Sequence, residues 1–248
     1  MTTAAIVIGL IAVFCGAVLQ RISGIGVGLV AAPAFTLLAG PQLGVFVTNT
    51  ATIVSGLLIG LAVLSEVDWK RFGFLAGFAV LGAWPAALLV RDANPAILTI
   101  FIGGIVLIAL MTTFSAPRLP QVSSSALTAA TGITASFLNT TAGVSAPAMV
   151  IYARVSRWPQ RSFAATMQPT FMTLAILSVT TKLIAGVGIV GSLPPWWFFT
   201  ALVAAVIAGV AVGSAAARRV SAAGMRRVAV VLVTLGALAT VVRGIILL

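Results

Sequence analysis

The chain has 248 residues, 61% hydrophobic and 7% charged, with 14 basic residues against 3 acidic ones and no histidine. A soluble domain is about one quarter charged, so a water-solvated fold is excluded, and Glu66, Asp68, Asp92 and Cys15 leave no residue set for hydrolytic or metal-dependent catalysis. The net charge of +11 sits in short connections between apolar runs, where it faces anionic lipid headgroups and not nucleic acid.

Apolar runs of roughly 20 residues match the length a helix needs to cross about 30 Å of hydrocarbon. Eight follow one another: Ala4 to Gly40, Leu43 to Leu64, Phe72 to Val90, Pro95 to Phe114, Ala126 to Tyr152, Phe163 to Leu183, Pro195 to Ala217 and Val228 to Leu248. The expected fold is an all-α integral membrane protein, a single transmembrane domain over 1–248 whose short connections leave no room for a soluble domain. The first run has no basic n-region before it and reads as retained structure, not a cleaved signal. Trp69, Trp84, Trp158, Trp196 and Trp197 lie near run ends as headgroup anchors. The pairs Gly56 with Gly60, Gly73 with Gly77 and Gly209 with Gly213 suit close helix packing.

The first run is too long for one crossing: about 37 residues make roughly 55 Å of helix. Its break is expected at Gln20 to Gly28, where Gly24, Gly26 and Gly28 alternate and weaken the helix. The fifth run is interrupted at Asn139 to Ser145, ahead of Pro147. A shift of 114 positions aligns Val30 with Val144, Ala32 to Ala34 with Ala146 to Ala148, Ala39 with Ala153, and Ala51 and Thr52 with Ala165 and Thr166. Both interrupted runs fall into register, which predicts two four-segment repeats, 1–118 and 119–248, with the first segment of each broken.

Basic residues discriminate two topologies. If every run crosses once, Arg91, Arg154, Arg157, Arg161, Arg218, Arg219, Arg226 and Arg227 share one side, and Lys70, Arg71, Arg118, Lys182 and Arg243 the other. If both interrupted runs turn back as re-entrant hairpins, Lys70, Arg71 and Arg118 join the larger group and Arg91 leaves it. The second split is the more asymmetric, so the positive-inside tendency predicts two hairpins entering from opposite faces, inverted repeats and both termini outside.

Broken helices inside a membrane expose backbone polar groups and are tolerated only in protein or around a hydrated cavity. Arg21 beside the first break is costly in lipid and either faces an anionic ligand or snorkels to an interface. The candidate substrate-binding residues are Arg21, Ser23, Gly24, Gly26 and Gly28 at the first break, and Asn139, Thr140, Thr141 and Ser145 at the second. Asn49, Thr52, Thr166 and Gln168 follow in the next segments. Glycines allow an anion close to exposed N–H groups, whereas each hydroxyl has the competing role of bonding back to its own helix.

Gly24 to Gly28 ahead of Pro33, and Gly143 to Pro147 followed by Arg161, Ala165 and Thr166, resemble the sulfite exporter TauE/SafE family, also called the toluene sulfonate uptake permease family, over essentially the whole chain. The resemblance implies a duplicated helical transporter of the bacterial inner membrane, an exporter of sulfite, organosulfonates or related sulfur-containing anions. With no His and no buried acid, no enzymatic activity and no cofactor are expected. The expected partners are a small anionic substrate and membrane lipid, with room for a homodimer and none for nucleic acid. The rival readings are an anion channel and a non-transporting membrane scaffold or assembly protein.

Overall fold

The computed structural model describes residues 2–24, 26–114, 120–122, 124–189, 193–216 and 222–248. Expectations resting on Arg118, Arg218, Arg219 and the boundary at 118/119, and on the side chains of Ser23, Arg226 and Arg227, lie outside the described residues. Ten α-helices are described: α1 (Thr3–Ser23), α2 (Gly28–Ala39), α3 (Pro41–Leu61), α4 (Trp69–Asp92), α5 (Pro95–Phe114), α6 (Ser125–Ala142), α7 (Ala146–Val155), α8 (Gln160–Ile184), α9 (Trp196–Ala216) and α10 (Ala222–Ile246). Six of these, α1, α3, α4, α5, α8 and α9, are long and apolar enough to cross a membrane. Leu81, Ile11, Ile207 and Val242 are exposed on their outer faces, as lipid contact requires.

Each predicted run that contains a break is two helices. Thr2 caps the start of α1 through its hydroxyl, and Gly24 ends it in the left-handed region at φ 73°, its N–H donating to the Gln20 carbonyl. Ser124 starts α6 in the same way, and Gly143 ends it at φ 71° with its N–H on the Asn139 carbonyl. These are the positions where a side chain is disfavoured and glycine is the ordinary helix terminator. The breaks are therefore narrower than the sequence predicts: Gln20 to Ser23 and Asn139 to Ala142 are the last helical turns, because nothing before either glycine stops the backbone ladder.

After each break the chain doubles back. A methyl built on Gly9 would lie 2.5 Å from the Phe35 ring and one on Gly16 3.1 Å from the Val27 carbonyl, so α2 returns antiparallel along α1. Thr128 and Tyr152 share a hydrogen bond of 2.9 Å and Val122 N–H donates to the Val155 carbonyl, so α7 returns along α6.

The ten helices fall into two runs of five with one order: long, short, long, long, long. Contacts between the runs come in exchanged pairs. α1 packs on α9 and α4 on α6; α2 packs on α10 and α5 on α7; α3 packs on α9 and α4 on α8; α3 meets α8, and α5 meets α10. The closest approaches use glycine, as expected where lipid offers no hydrophobic drive and van der Waals contact does the holding. Gly209 and Gly213 let α9 sit on Phe14, Ala17 and Val18 of α1, and Gly56 fits against the Gln168 carbonyl and Met172. Gly73 and Gly77 meet nothing within 4 Å, so that predicted pair is not a packing contact. Gly209→Val is expected to lower the detergent melting temperature, through overpacking of about 1–3 kcal/mol, while Gly77→Val leaves it unchanged; equal shifts would discount the α1–α9 contact.

At one end of the bundle Arg161 donates to Glu66 at 2.6 Å, Thr166 accepts from Asp68 N–H at 2.8 Å and the Arg71 guanidinium lies 4.6 Å from the centre of the Trp158 ring. The hydrogen bond from Arg161 holds the Glu66 carboxyl below its ordinary value. Trp158 is buried between Tyr152 and Phe163, so unlike the exposed Trp69, Trp84, Trp196 and Trp197 it is a packing residue.

Candidate functional site

The tips of the two hairpins meet. Gly28 opens α2, and a methyl built on it would overlap the carbonyl oxygen of Gly143 and come within 3.6 Å of Val144. Beside this contact lies a small, partly open cavity. From the first tip Gly26, Gly28 and Leu29 line it; from the second come Gly143, Val144, Ser145 and Ala146. Thr52 of α3, Asn139 of α6 and Phe171 of α8 complete the wall. The N-termini of both short helices reach this cavity, and neither is capped by its own N-cap side chain, although at α2 Gln20 takes the Val27 N–H. No carbonyl or side chain among the described residues accepts from the N–H groups of Val144, Ser145 or Ala146. A helix start with open N–H groups carries partial positive charge and suits an anion.

Two buried amide pairs brace the tips, and they are crossed. Gln20, in the last turn of α1, donates to Gln168 of α8 at 2.8 Å, and its carbonyl oxygen accepts from Val27 N–H at 3.0 Å and from Ser55 at 2.9 Å. Asn139, in the last turn of α6, donates to Asn49 of α3 at 3.0 Å; Asn49 donates to Ser178 at 2.9 Å and, more weakly, to the Asn139 carbonyl at 3.4 Å. Each break is thus held by an amide four residues before its terminating glycine, paired to a helix of the other run. Gln20 to Asn139, Gly24 to Gly143 and Asn49 to Gln168 are each 119 positions apart, five more than the shift of 114 seen in sequence identity. At that shorter shift Pro33, inside α2, is paired with Pro147, in the first turn of α7. An amide in a low-dielectric interior is costly unless satisfied, and here each satisfies another.

The profile of the family described as sulfite exporter TauE/SafE matches residues 8–240. The chain belongs to the sulfite exporter TauE/SafE family. With its apolar helices, membership makes it a multi-pass membrane protein of a transporter family. No curated protein and no solved structure matches the chain.

Of the sequence-predicted residues, this TauE/SafE protein brings Gly26, Gly28, Thr52, Asn139 and Ser145 to the cavity wall. Asn49 and Gln168 stand behind it through the amide pairs, and Gly24 acts as the α1 terminator. Arg21 is elsewhere: its Nε donates to Ser214 of α9 at 2.8 Å, and its stem covers Gly213. Thr141 bonds back to the Phe137 carbonyl, Thr166 to that of Ser162 and Thr52 to that of Thr48, the back-bonding role expected of helical hydroxyls. The Thr140 hydroxyl is buried without a partner. Among the described residues no three His, Cys, Asp or Glu side chains gather into a metal site.

Sequence reasoning placed Gln20, Gly143, Val144 and Ala146 in or beside the interrupted stretches without making them binding candidates, and it missed Leu29 and Phe171. Gln20 carried a usable signal, a lone amide inside an apolar run just before a glycine. Phe171 carried none, since an aromatic in an apolar helix looks the same facing core, lipid or cavity.

Proposed function

We propose that this TauE/SafE protein is a secondary transporter that exports small sulfur-containing anions, such as sulfite or organosulfonates, across the bacterial inner membrane. The observation that carries the reading is the meeting of two helix starts, the second with open N–H groups, at a cavity with no carboxylate in its wall. The substrate oxyanion sits against the N–H groups of the second tip, with Asn139, Ser145 and Thr52 offering neutral polar groups and Leu29 and Phe171 an apolar wall. The 119-residue correspondence and the exchanged contacts support a duplication in which the halves are inverted, each contributing one re-entrant hairpin. Inverted repeats meeting at broken helices suit alternating access, in which one half moves against the other around a central site.

The basic residues give the orientation. The end carrying Arg71, Arg161, Arg154 and Arg157 is cytoplasmic by the positive-inside tendency, and both termini are outside. A single cysteine at Lys70→Cys, with Cys15 replaced by alanine, is expected to react with an impermeant maleimide in inverted vesicles and not in intact cells; labelling from outside would overturn the hairpin topology. Function is tested with the purified chain in liposomes. Saturable uptake of labelled sulfite or a small sulfonate is expected, non-saturating flux would indicate a channel, and no flux of any anion by folded protein would reject transport.

A further inference from the structure

The sequence counts Lys182 only among the basic residues of one membrane side, and the structure buries it. It is 0% exposed, and its Nζ has no hydrogen-bond partner. Among the described residues the three carboxylates are engaged elsewhere: Glu66 with Arg161, Asp68 with Arg71 and Asp92 with Arg91. The α8 C-terminus favours a cation in its last turn, but supplies only about half a unit charge shared over several carbonyls. A buried ammonium without a partner is costly, and a lysine so fully enclosed calls for a functional reading.

Its helix face mixes polar and apolar side chains. Gln168, Phe171, Ala175, Ser178 and Lys182 are all buried at spacings of three and four, so they share the inner face of α8. Phe171 lines the cavity, and Ser178 is joined to the cavity residue Asn139 through Asn49. α3 runs antiparallel to α8, with Asn49 opposite Ser178 and Gly56 opposite Met172. That register sets Lys182 level with Val45, next to Gly44, and Gly44 is the residue against which Thr36 of α2 packs. The Thr36 hydroxyl is also buried without a partner. Two unpaired buried donors thus stand at one level of the interior, roughly 16 Å along α8 from Phe171 at 1.5 Å per residue.

We infer that Lys182, with Thr36, forms a second anion-binding position on the transport path, where the ammonium supplies the counter-charge for an oxyanion between the central cavity and the end of the bundle formed by the α8 C-terminus. The inference rests on the transporter reading above. It assigns the charge recognition that Arg21, turned to Ser214, does not provide.

The test is sulfite transport by the full chain in liposomes, with kcat and KM measured separately and melting temperature as the folding control. Lys182→Met is expected to lower kcat/KM about tenfold or more, mainly through KM, with a melting temperature equal to or above wild type because a buried charge is removed. Lys182→Arg is expected to stay within about threefold of wild type. Thr36→Val is expected to raise KM several-fold, and it decides the matter if Lys182→Met does not fold. Wild-type kinetics in Lys182→Met, equal losses in Lys182→Met and Lys182→Arg, or an unchanged KM in Thr36→Val with Lys182→Met unfolded would each overturn the second site while leaving the transporter reading in place. Absence of anion transport by the wild type would overturn both.

Discussion

Gly28→Val is expected to reduce sulfite uptake in liposomes by about tenfold or more, because a Cβ at Gly28 overlaps the Gly143 carbonyl oxygen. Neither atom can yield cheaply: one is backbone at the start of α2 and the other is the carbonyl of the left-handed residue that ends α6. Relief comes only by parting the two tips, which opens the cavity and removes the alignment of both helix starts. Gly104→Val is the control, since nothing lies within 4 Å of its added carbon. Gly26→Ala makes a graded comparison: its methyl would stand 3.5 Å from Phe171, an ordinary contact, so the fold should persist while the cavity loses volume and KM rises a few-fold. Full uptake by Gly28→Val would separate the meeting of the tips from transport.

Asn139→Asp is expected to abolish uptake of sulfite while preserving side-chain shape. The substitution places a carboxylate in the cavity wall, and two like charges about 4 Å apart at an effective dielectric near 20 repel by about 4 kcal/mol, roughly a thousandfold in an equilibrium. Asn139→Ala separates charge from hydrogen bonding. It leaves the Asn49 carbonyl oxygen without its donor, a cost of about 1–3 kcal/mol, and should show a lower melting temperature with a smaller loss of uptake. Arg21→Gln, bonded away from the cavity on α9, should change uptake less than about twofold. If Asn139→Asp and Asn139→Ala were equally active, the cargo would not be recognised as an anion at this wall.

Much of the fold was legible because membrane helices advertise themselves by length and apolarity. The eight predicted runs coincide with the ten helices once the first and fifth are divided, and Gly24 and Gly143 mark both divisions. The site was half legible. Glycines and an asparagine at the breaks were conspicuous against an apolar background, so Gly26, Gly28, Asn139 and Ser145 stood out. Residues whose role depends on which helix they face did not. Arg21 and Lys182 are the instructive pair: each is a cation in or beside an apolar run, but only the packing of α1 on α9 and of α3 on α8 turns the first to a serine and buries the second. The 119-residue spacing between the two tips differs by five from the shift of 114 that Ala-Pro-Ala identities favour, and the matching positions of Gln20 with Asn139 and of Asn49 with Gln168 are invisible as identities.

The exchanged contacts have a consequence for assembly. α1 finds its long partner in α9 and α6 finds its own in α4, so a chain cut within the connection between α5 and α6 yields two fragments, each carrying a broken helix whose brace lies in the other. Neither fragment holds both members of either amide pair, and each exposes the glycine faces that its counterpart covers. The two pieces are complementary jigsaw blanks, and the cavity exists only in their union.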